Sequence, residues 1–297
     1  MKILNMGSLN YDYVYSVSHI VKPGETILSN GMETFCGGKG LNQSVALARA
    51  GERVYHAGLI GEDGELLLKT CEENQIDISC IKQMEGKSGH TIIQVDDEGQ
   101  NCILLYGGSN QAFTKDYIDG VLDSFDKGDW ILLQNEVNHL NYIIDQAYEK
   151  GLHIALNPSP FNQSINNCDL SKVSLFLLNE IEGEQITGKA DKQEILTTIE
   201  ERYPKAEIIM TLGSEGVIYR YQKEQLTHGI YRVTAVDTTA AGDTFTGYFI
   251  YGKIHGLPIM EALELASKAS AIAVSRAGAT ASIPYMSEVK SINLELK

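Results

Sequence analysis

Short apolar runs separated by amphipathic stretches recur through most of the chain, and this alternation sets the expected architecture. Ile3 to Ser8, Arg53 to Gly61, Trp130 to Gln134, His153 to Asn157, Ser174 to Leu178 and Glu207 to Leu212 read as buried strands. Between them, helical spacing runs over Ser44 to Ala50, Glu62 to Asn74 and residues 138–150, 180–187 and 191–202. Strands alternating with helices predict βαβ units, a mostly parallel sheet and right-handed crossovers. Two stretches break the pattern. Residues 14–35 alternate weakly around Pro23-Gly24, and Thr91 to Val95 with Cys102 to Tyr106 bracket the turn Asp96-Asp97-Glu98-Gly99 as a hairpin. Together they predict a small β lid, over about residues 11–36 and 88–108, on one edge of the main sheet. Two further extended runs, Val217 to Tyr221 and Gly229 to Val233, lead to a helix entered near Ala241 and another over Ile259 to Val274.

Polar residues cluster just beyond the predicted strand ends, where parallel α/β sheets bind ligands. Asn10 and Asp12 follow the first strand; Asn135 and Glu136, Asn157, Asn179 and Glu182, and Gly213, Ser214 and Gly216 follow later ones. One polar residue after a strand says little, because loops are polar. Four successive strand ends so equipped predict a ligand-binding rim.

Two motifs sharpen that rim. Cys36-Gly37-Gly38-Lys39-Gly40-Leu41-Asn42-Gln43 leads into a helix that Gly51 closes, and its glycines let backbone approach a ligand. Asn42 offers both a donor and an acceptor, as a polyol requires. Val236-Asp-Thr-Thr-Ala-Ala-Gly-Asp-Thr-Phe-Thr-Gly247 places small residues at a helix N-terminus, whose free N–H groups and dipole suit a phosphate against Ala241, Gly242 and Asp243. A carboxylate at that point has two readings. Asp243 either caps the helix or takes the proton of a hydroxyl that attacks the phosphoryl group, and pattern alone leaves both open.

Composition narrows the classes. With 24 Lys plus Arg against 39 Asp plus Glu, a formal charge of -15 and no basic stripe, nucleic acid is not an expected partner. The opening apolar run is too short for a signal peptide, and no later run approaches membrane-spanning length. The five cysteines (Cys36, Cys71, Cys80, Cys102, Cys168) are widely spaced without a C-x-x-C pair, which fits a reducing cytoplasm and small core side chains. Gly86-Lys87-Ser88 lacks the first glycine of a P-loop, since Ile81 stands there, and Leu212 spoils a nucleophile elbow at Ser214. No G-x-G-x-x-G and no paired histidine ligands occur, so dinucleotide binding and zinc hydrolysis lack support.

The chain resembles the ribokinase-like (PfkB) carbohydrate kinases along nearly its whole length. Gly-Gly-Lys-Gly-x-Asn-Gln at 37–43, Asn-Pro-Ser-Pro at 157–160, Thr-Leu-Gly-Ser-x-Gly at 211–216 and Val-Asp-Thr-x-Ala-Ala-Gly-Asp-Thr-Phe at 236–245 match the family's patterns in order. The resemblance implies a single three-layer α/β unit with a lid. Its implied activity is transfer of a phosphoryl group from ATP, with Mg2+, to a primary hydroxyl of a small sugar, with ribose the first expectation. Fructose, another ketose or a nucleoside are the alternatives, as is a sugar-sensing protein without turnover. It also implies that Asp243 is the base, with Ala240, Ala241 and Gly242 as anion hole, and that Asn10, Asp12, Gly38, Lys39, Asn42 and Glu136 bind the sugar. Asn179 and Glu182 would organise magnesium and phosphate; Thr211, Gly213, Ser214, Gly216 and Ser267 would contact the nucleotide. Asp237, Thr239, Ala273, Arg276, Gly278 and Ser282 would ligate an activating monovalent cation, usually K+, mostly through backbone carbonyls. A homodimer joined through the lids is expected. Leu178 replaces a proline, Gly107-Gly108-Ser109-Asn110 replaces Gly-Ala-Asn, and Tyr11 and His90 are expected near the sugar.

Overall fold

A computed structural model describes residues 1–297. The first part of the chain forms β1 (Ile3–Met6), β2 (Asn10–Ser16), β3 (Gly31–Gly37), α1 (Lys39–Ala50), β4 (Val54–Ile60), α2 (Glu65–Glu73) and β5 (Asp77–Gln83). The middle forms β6 (Gly89–Val95), β7 (Asn101–Tyr106), α3 (Lys115–Leu122), β8 (Trp130–Gln134), α4 (Leu140–Glu149), β9 (His153–Asn157), β10 (Leu175–Asn179), α5 (Glu180–Thr187) and α6 (Lys192–Arg202). The last part forms β11 (Glu207–Thr211), β12 (Val217–Tyr221), β13 (Glu224–His228), α7 (Ala241–Ile254), α8 (Ile259–Val274) and α9 (Met286–Ser291).

Nine strands make one sheet in the order β13-β12-β11-β10-β9-β8-β1-β4-β5, parallel except at the β11–β12 and β12–β13 pairs. Its strands are apolar on both faces because both faces are covered. Ile3, Leu132, Ala155, Leu177 and Ile209 pack with α1, α7 and α8 in a cluster of 34 buried residues; Leu4, Leu133, Leu156, Phe176 and Ile208 pack with α3, α4 and α6 in one of 33. The near equality makes this three layers. β3-β2-β6-β7 form a separate four-stranded sheet in which β2 and β6 run parallel and the outer pairs antiparallel.

Periodicity places β8, β9, α5, β12 and α8 at their observed bounds, but three expectations need correction. The first helix starts at Lys39, inside the glycine loop, rather than at Ser44. β5 is an additional strand whose side chains are only partly covered, so its apolar signal is weak. The last strand is Glu224–His228, not Gly229–Val233, because Gln222 and Lys223 both adopt positive φ in a tight turn that pairs Tyr221 with Glu224. Ile230, Tyr231 and Val233, freed from the sheet, line a cavity.

One buried histidine carries a stability consequence. His56 on β4 is fully buried, its Nδ1 is 2.8 Å from Ser44 Oγ, and burial pushes its pKa from 6.5 down to about 4. The unfolded chain therefore binds a proton that the folded one refuses, and this contribution is lost as pH falls from 6.5 toward 4. Urea unfolding at pH 7 and pH 4.5 should show the native chain losing on the order of 2 kcal/mol more than His56→Asn does. Equal losses in the two proteins would contradict the assignment.

Candidate active site

Gly247 determines how the site is assembled. A Cβ at this position of α7 would meet Ala46 and fall 2.8 Å from the Leu47 amide nitrogen of α1, so the absence of a side chain lets the two helices cross closely. Asp243 lies one turn before Gly247, and Asn42 and Gln43 lie one turn before Ala46 and Leu47. The same crossing therefore brings the carboxylate against both amides. Asn42 Nδ2 donates to Asp243 Oδ2 at 3.0 Å, and Gln43 Nε2 donates to Oδ1 at 2.9 Å.

Asp243 is 4% exposed and occupies the first turn of α7, but it does not cap it. The N-cap is Ala240, and no side chain there bonds the helix. The partners of Asp243 are side chains of α1. A buried charge needs such partners, and with both its oxygens held the carboxylate is fixed in place.

The glycine loop is built around Glu136. Ser8 Oγ donates to Glu136 Oε2, the Lys39 amide donates to the same oxygen at 2.9 Å, and the Gly40 amide donates to Ser8 Oγ at 3.2 Å. Gly38 has φ 87, where a Cβ would crowd Ser8 Oγ and Asn10, and Gly37 leaves room for the Asp12 carboxylate. Asp12 Oδ1 accepts from Thr91 at 2.5 Å, and Asn10 Oδ1 accepts from Asn110 Nδ2 at 2.6 Å. Burial raises the carboxyl pKa values of Asp12 and Glu136; Thr91 opposes the shift at Asp12, and Ser8 and Lys39 oppose it at Glu136. Asn10, Asp12, Gly38, Asn42 and Glu136 thus form one rim. Tyr11 and His90 do not belong to it. They pair across β2 and β6 on the face opposite Asp12, where the Tyr11 hydroxyl donates to Asp63 O and His90 packs against Tyr13 and Tyr106.

Asp243 lines one cavity, and a second lies beside it. The smaller, about 80 Å³, is lined by Lys39, Asn157, Asn179, Glu182, Thr239 and Asp243 among others. Lys39, expected at the sugar, thus also faces this space. Burial works against its ammonium, yet the carboxylates of Asp243, Glu136 and Glu182 hold its pKa above the usual lysine value. Asn179 and Glu182 close a capping box on α5: Glu182 N–H donates to Asn179 Oδ1, and Asn179 N–H donates to Glu182 Oε2, each at 2.9 Å. The other Glu182 oxygen has no hydrogen-bond partner. The larger cavity, about 400 Å³, shares Thr211, Gly242 and Phe245 with the first and adds Gly213, Ser214, Gly216, Ala241 and Ser267, with Thr238 and Ser270, to a wall completed by apolar side chains. It is roomy enough for a flat aromatic ring.

The cation candidates lie around Asp237. Its Oδ1 accepts from Thr239 N–H at 2.9 Å and its Oδ2 from Gly278 N–H at 3.0 Å. Partial burial opposes ionisation, but the hydrogen bonds from Thr239 and Gly278 hold the Asp237 carboxyl below the usual range. Arg276 turns its guanidinium to Glu288 at 2.7 Å, leaving only its backbone toward the loop. The Ala273 carbonyl accepts from Arg276 N–H, and Ser282 is buried with its hydroxyl on Ala279 O. No group of three or more acidic, histidine or cysteine side chains is placed to hold a metal ion.

Several residues of the site were not among the expected site residues. Ser8 and Asn110 support the rim, and Asn5, Gln134 and Gln43, the last residue of the glycine-loop motif, stand behind Asp243. Asn5 and Gln134 do leave a trace in the sequence: each is a polar residue within or ending an apolar strand, and both are fully buried.

Relatives match the chain along nearly its whole length. The sequence profile described as pfkB family carbohydrate kinase matches residues 1–286. A ribokinase of Staphylococcus aureus is 32% identical over 302 residues, covering 98% of this chain and 99% of that protein. The crystal structure of a ribokinase from Thermotoga maritima superposes with a TM-score of 0.87 at 31% identity, covering 98% of each chain. The structure of Arabidopsis thaliana ribokinase complexed with ribose and ATP gives 0.85 at 25% identity, covering 97% of each chain.

Proposed function

This chain belongs to the pfkB family of carbohydrate kinases, and on that premise we propose that it transfers the γ-phosphoryl group of ATP to a primary hydroxyl of a small sugar, D-ribose first among the candidates. The observation that carries this reading is the placement of Asp243. Its buried carboxylate, held by Asn42 and Gln43, lines a cavity that shares Thr211, Gly242 and Phe245 with the larger one.

In the proposed reaction the sugar lies on the rim of Asn10, Asp12, Gly38, Asn42 and Glu136. Asn42 Oδ1 is buried without a partner, an acceptor suited to a sugar hydroxyl. Asp243 takes the proton of the primary hydroxyl as its oxygen bonds to the γ-phosphorus; the bond from that phosphorus to the bridging oxygen breaks, and ADP leaves with the electron pair. Positioning and charge neutralisation suffice for such a transfer. The start of α7 over Ala240, Ala241 and Gly242 stabilises the transferring oxygens through its dipole and the unpaired N–H groups of Ala240 and Gly242, the Ala241 N–H being donated to Thr238 O at 3.2 Å. The Lys39 ammonium adds a charge from the glycine loop. Asn179 and Glu182 would hold the magnesium, whose part is to offset phosphate charge; the free oxygen of Glu182 fits that use. The nucleotide base takes the apolar cavity, between Gly213, Ser214, Gly216 and Ser267.

We place a monovalent cation, K+, in the loop around Asp237, Thr239, Ala273, Arg276, Gly278 and Ser282, because Asp237 is held ionised there while the arginine side chain points away. The β3-β2-β6-β7 sheet acts as the lid. A second copy of the chain covers its outer strand, where Ile103, Leu104, Leu105 and Tyr106 are exposed in succession at 57, 66, 46 and 54%. A cytoplasmic location fits the five unpaired cysteines, and no helix is long and apolar enough to cross a membrane.

Asp243→Asn tests the chemistry, because asparagine keeps the shape while removing the base. Its turnover with ATP, magnesium and D-ribose should fall by roughly 10²–10⁴ with the fold retained, and near-normal turnover would remove Asp243 from the mechanism. Replacing sodium by potassium at fixed ionic strength should raise the rate. An unchanged rate would remove the cation from the proposal.

A further inference from the structure

Behind Asp243 runs a line of buried amides that the proposed reaction does not itself use. Gln43, which donates to Asp243 Oδ1, accepts at its own Oε1 from Gln134 Nε2 at 2.6 Å. Gln134 Nε2 also donates to Asn5 Oδ1 at 3.0 Å. Asn5 Nδ2 in turn donates to Gly40 O at 2.7 Å and to Ser44 Oγ at 2.8 Å. Gln43, Gln134, Asn5 and Ser44 are each 0% exposed, so none of these amides can exchange a partner for water.

The direction of every bond in the line follows from its far end. An amide can turn over to exchange its donor and acceptor ends. The Gly40 carbonyl can only accept, so the amide nitrogen of Asn5 must face it and its oxygen must face Gln134. Gln134 must then present its nitrogen to Asn5 and Gln43, which leaves its oxygen over Gly7, the one residue type whose missing side chain makes room for it. Gln43 must therefore accept from Gln134 and donate to the carboxylate. Gln43 Nε2 also donates to Asn157 Oδ1 at 3.3 Å, so a flipped Gln43 would set its oxygen against Asp243 and Asn157 and its nitrogen against a donor, losing all three bonds at once.

We propose that Gln43 is a positioning residue for the base, and that Gln134 and Asn5 act through it by fixing which end of its amide meets Asp243. This rests on Asp243 acting as the base. The line also ties the carboxylate to Gly40, so the loop that receives the sugar and the group that takes its proton are set by one network. Gln43 holds Oδ1, while Asn42, which belongs to the sugar rim, holds Oδ2.

The test is steady-state kinetics of the full chain with ATP, magnesium and D-ribose in Gln43→Met, Gln134→Met, the double variant and Asp243→Asn. Methionine keeps the length of glutamine without its donor. Gln43→Met should lower kcat about tenfold or more with the sugar KM held within about twofold, because the bond lost is one to the base rather than to substrate. Gln134→Met, remote from any ligand, should lower kcat by about threefold or more. The double variant should be no slower than Gln43→Met, since both act through one bond. Unchanged kcat in Gln43→Met, a loss confined to KM, or a double-variant loss equal to the product of the single losses would each overturn the proposal. Should Gln43→Met show no cooperative melting transition, Gln134→Met decides alone, and unchanged kcat there overturns it. Asp243→Asn keeps the two claims apart: near-normal turnover in that variant removes the base itself, whereas an inactive Asp243→Asn beside a fully active Gln43→Met removes only the positioning role.

Discussion

A carboxylate taken out of water must be met by donors, and most of this site can be understood as meeting that demand for Asp243. The group sits where α7 begins, beside N–H groups that suit an anion, and α1 supplies the side-chain amides that hold both its oxygens. That contact exists because Gly247 lets the helices cross without a side chain between them. One missing Cβ therefore governs the position of a charge one turn away.

The parallel sheet explains why everything else gathers at the same edge. β8, β9, β10 and β11 end at Gln134, Asn157, Asn179 and Thr211, and each strand end or the residues just past it reach the cavity, the glycine loop or the amide line. The separate four-stranded sheet adds Asp12 and Thr91 from the other side. An acidic chain of charge -15 gives ATP no long-range attraction, so on the proposed function local groups would neutralise phosphate: magnesium, the first turn of α7, and Lys39, whose pKa three carboxylates hold above the usual lysine value.

Local signals carried much of this. Strand and helix positions follow from apolar spacing wherever a strand is covered on both faces, as at β8 and β9, and the glycine loop and the 236–247 stretch stand out because their chemistry is concentrated in consecutive residues. Half-covered β5 and polar β13 lack that signal. Local pattern does not show that Asp243 leaves its helix uncapped either, because that depends on which residue starts the helix and on a crossing with residues 200 positions away. Tyr11 and His90 fall on the other face for a related reason: a strand alternates its faces, so Tyr11 beside Asp12 and His90 beside its partner Thr91 both point away from it. Asn5 and Gln134 were visible only as polar interruptions of apolar runs, with no local hint of the partner each would meet.

The central claim is that the site activates one primary hydroxyl of a sugar for attack on ATP. It is tested most directly by ADP release with D-ribose and with 5-deoxy-D-ribose, which differ only in the oxygen that Asp243 would deprotonate. The account predicts steady turnover with ribose and none above background with the deoxy sugar, which should still compete for the rim. Equal ADP release with both sugars would contradict it.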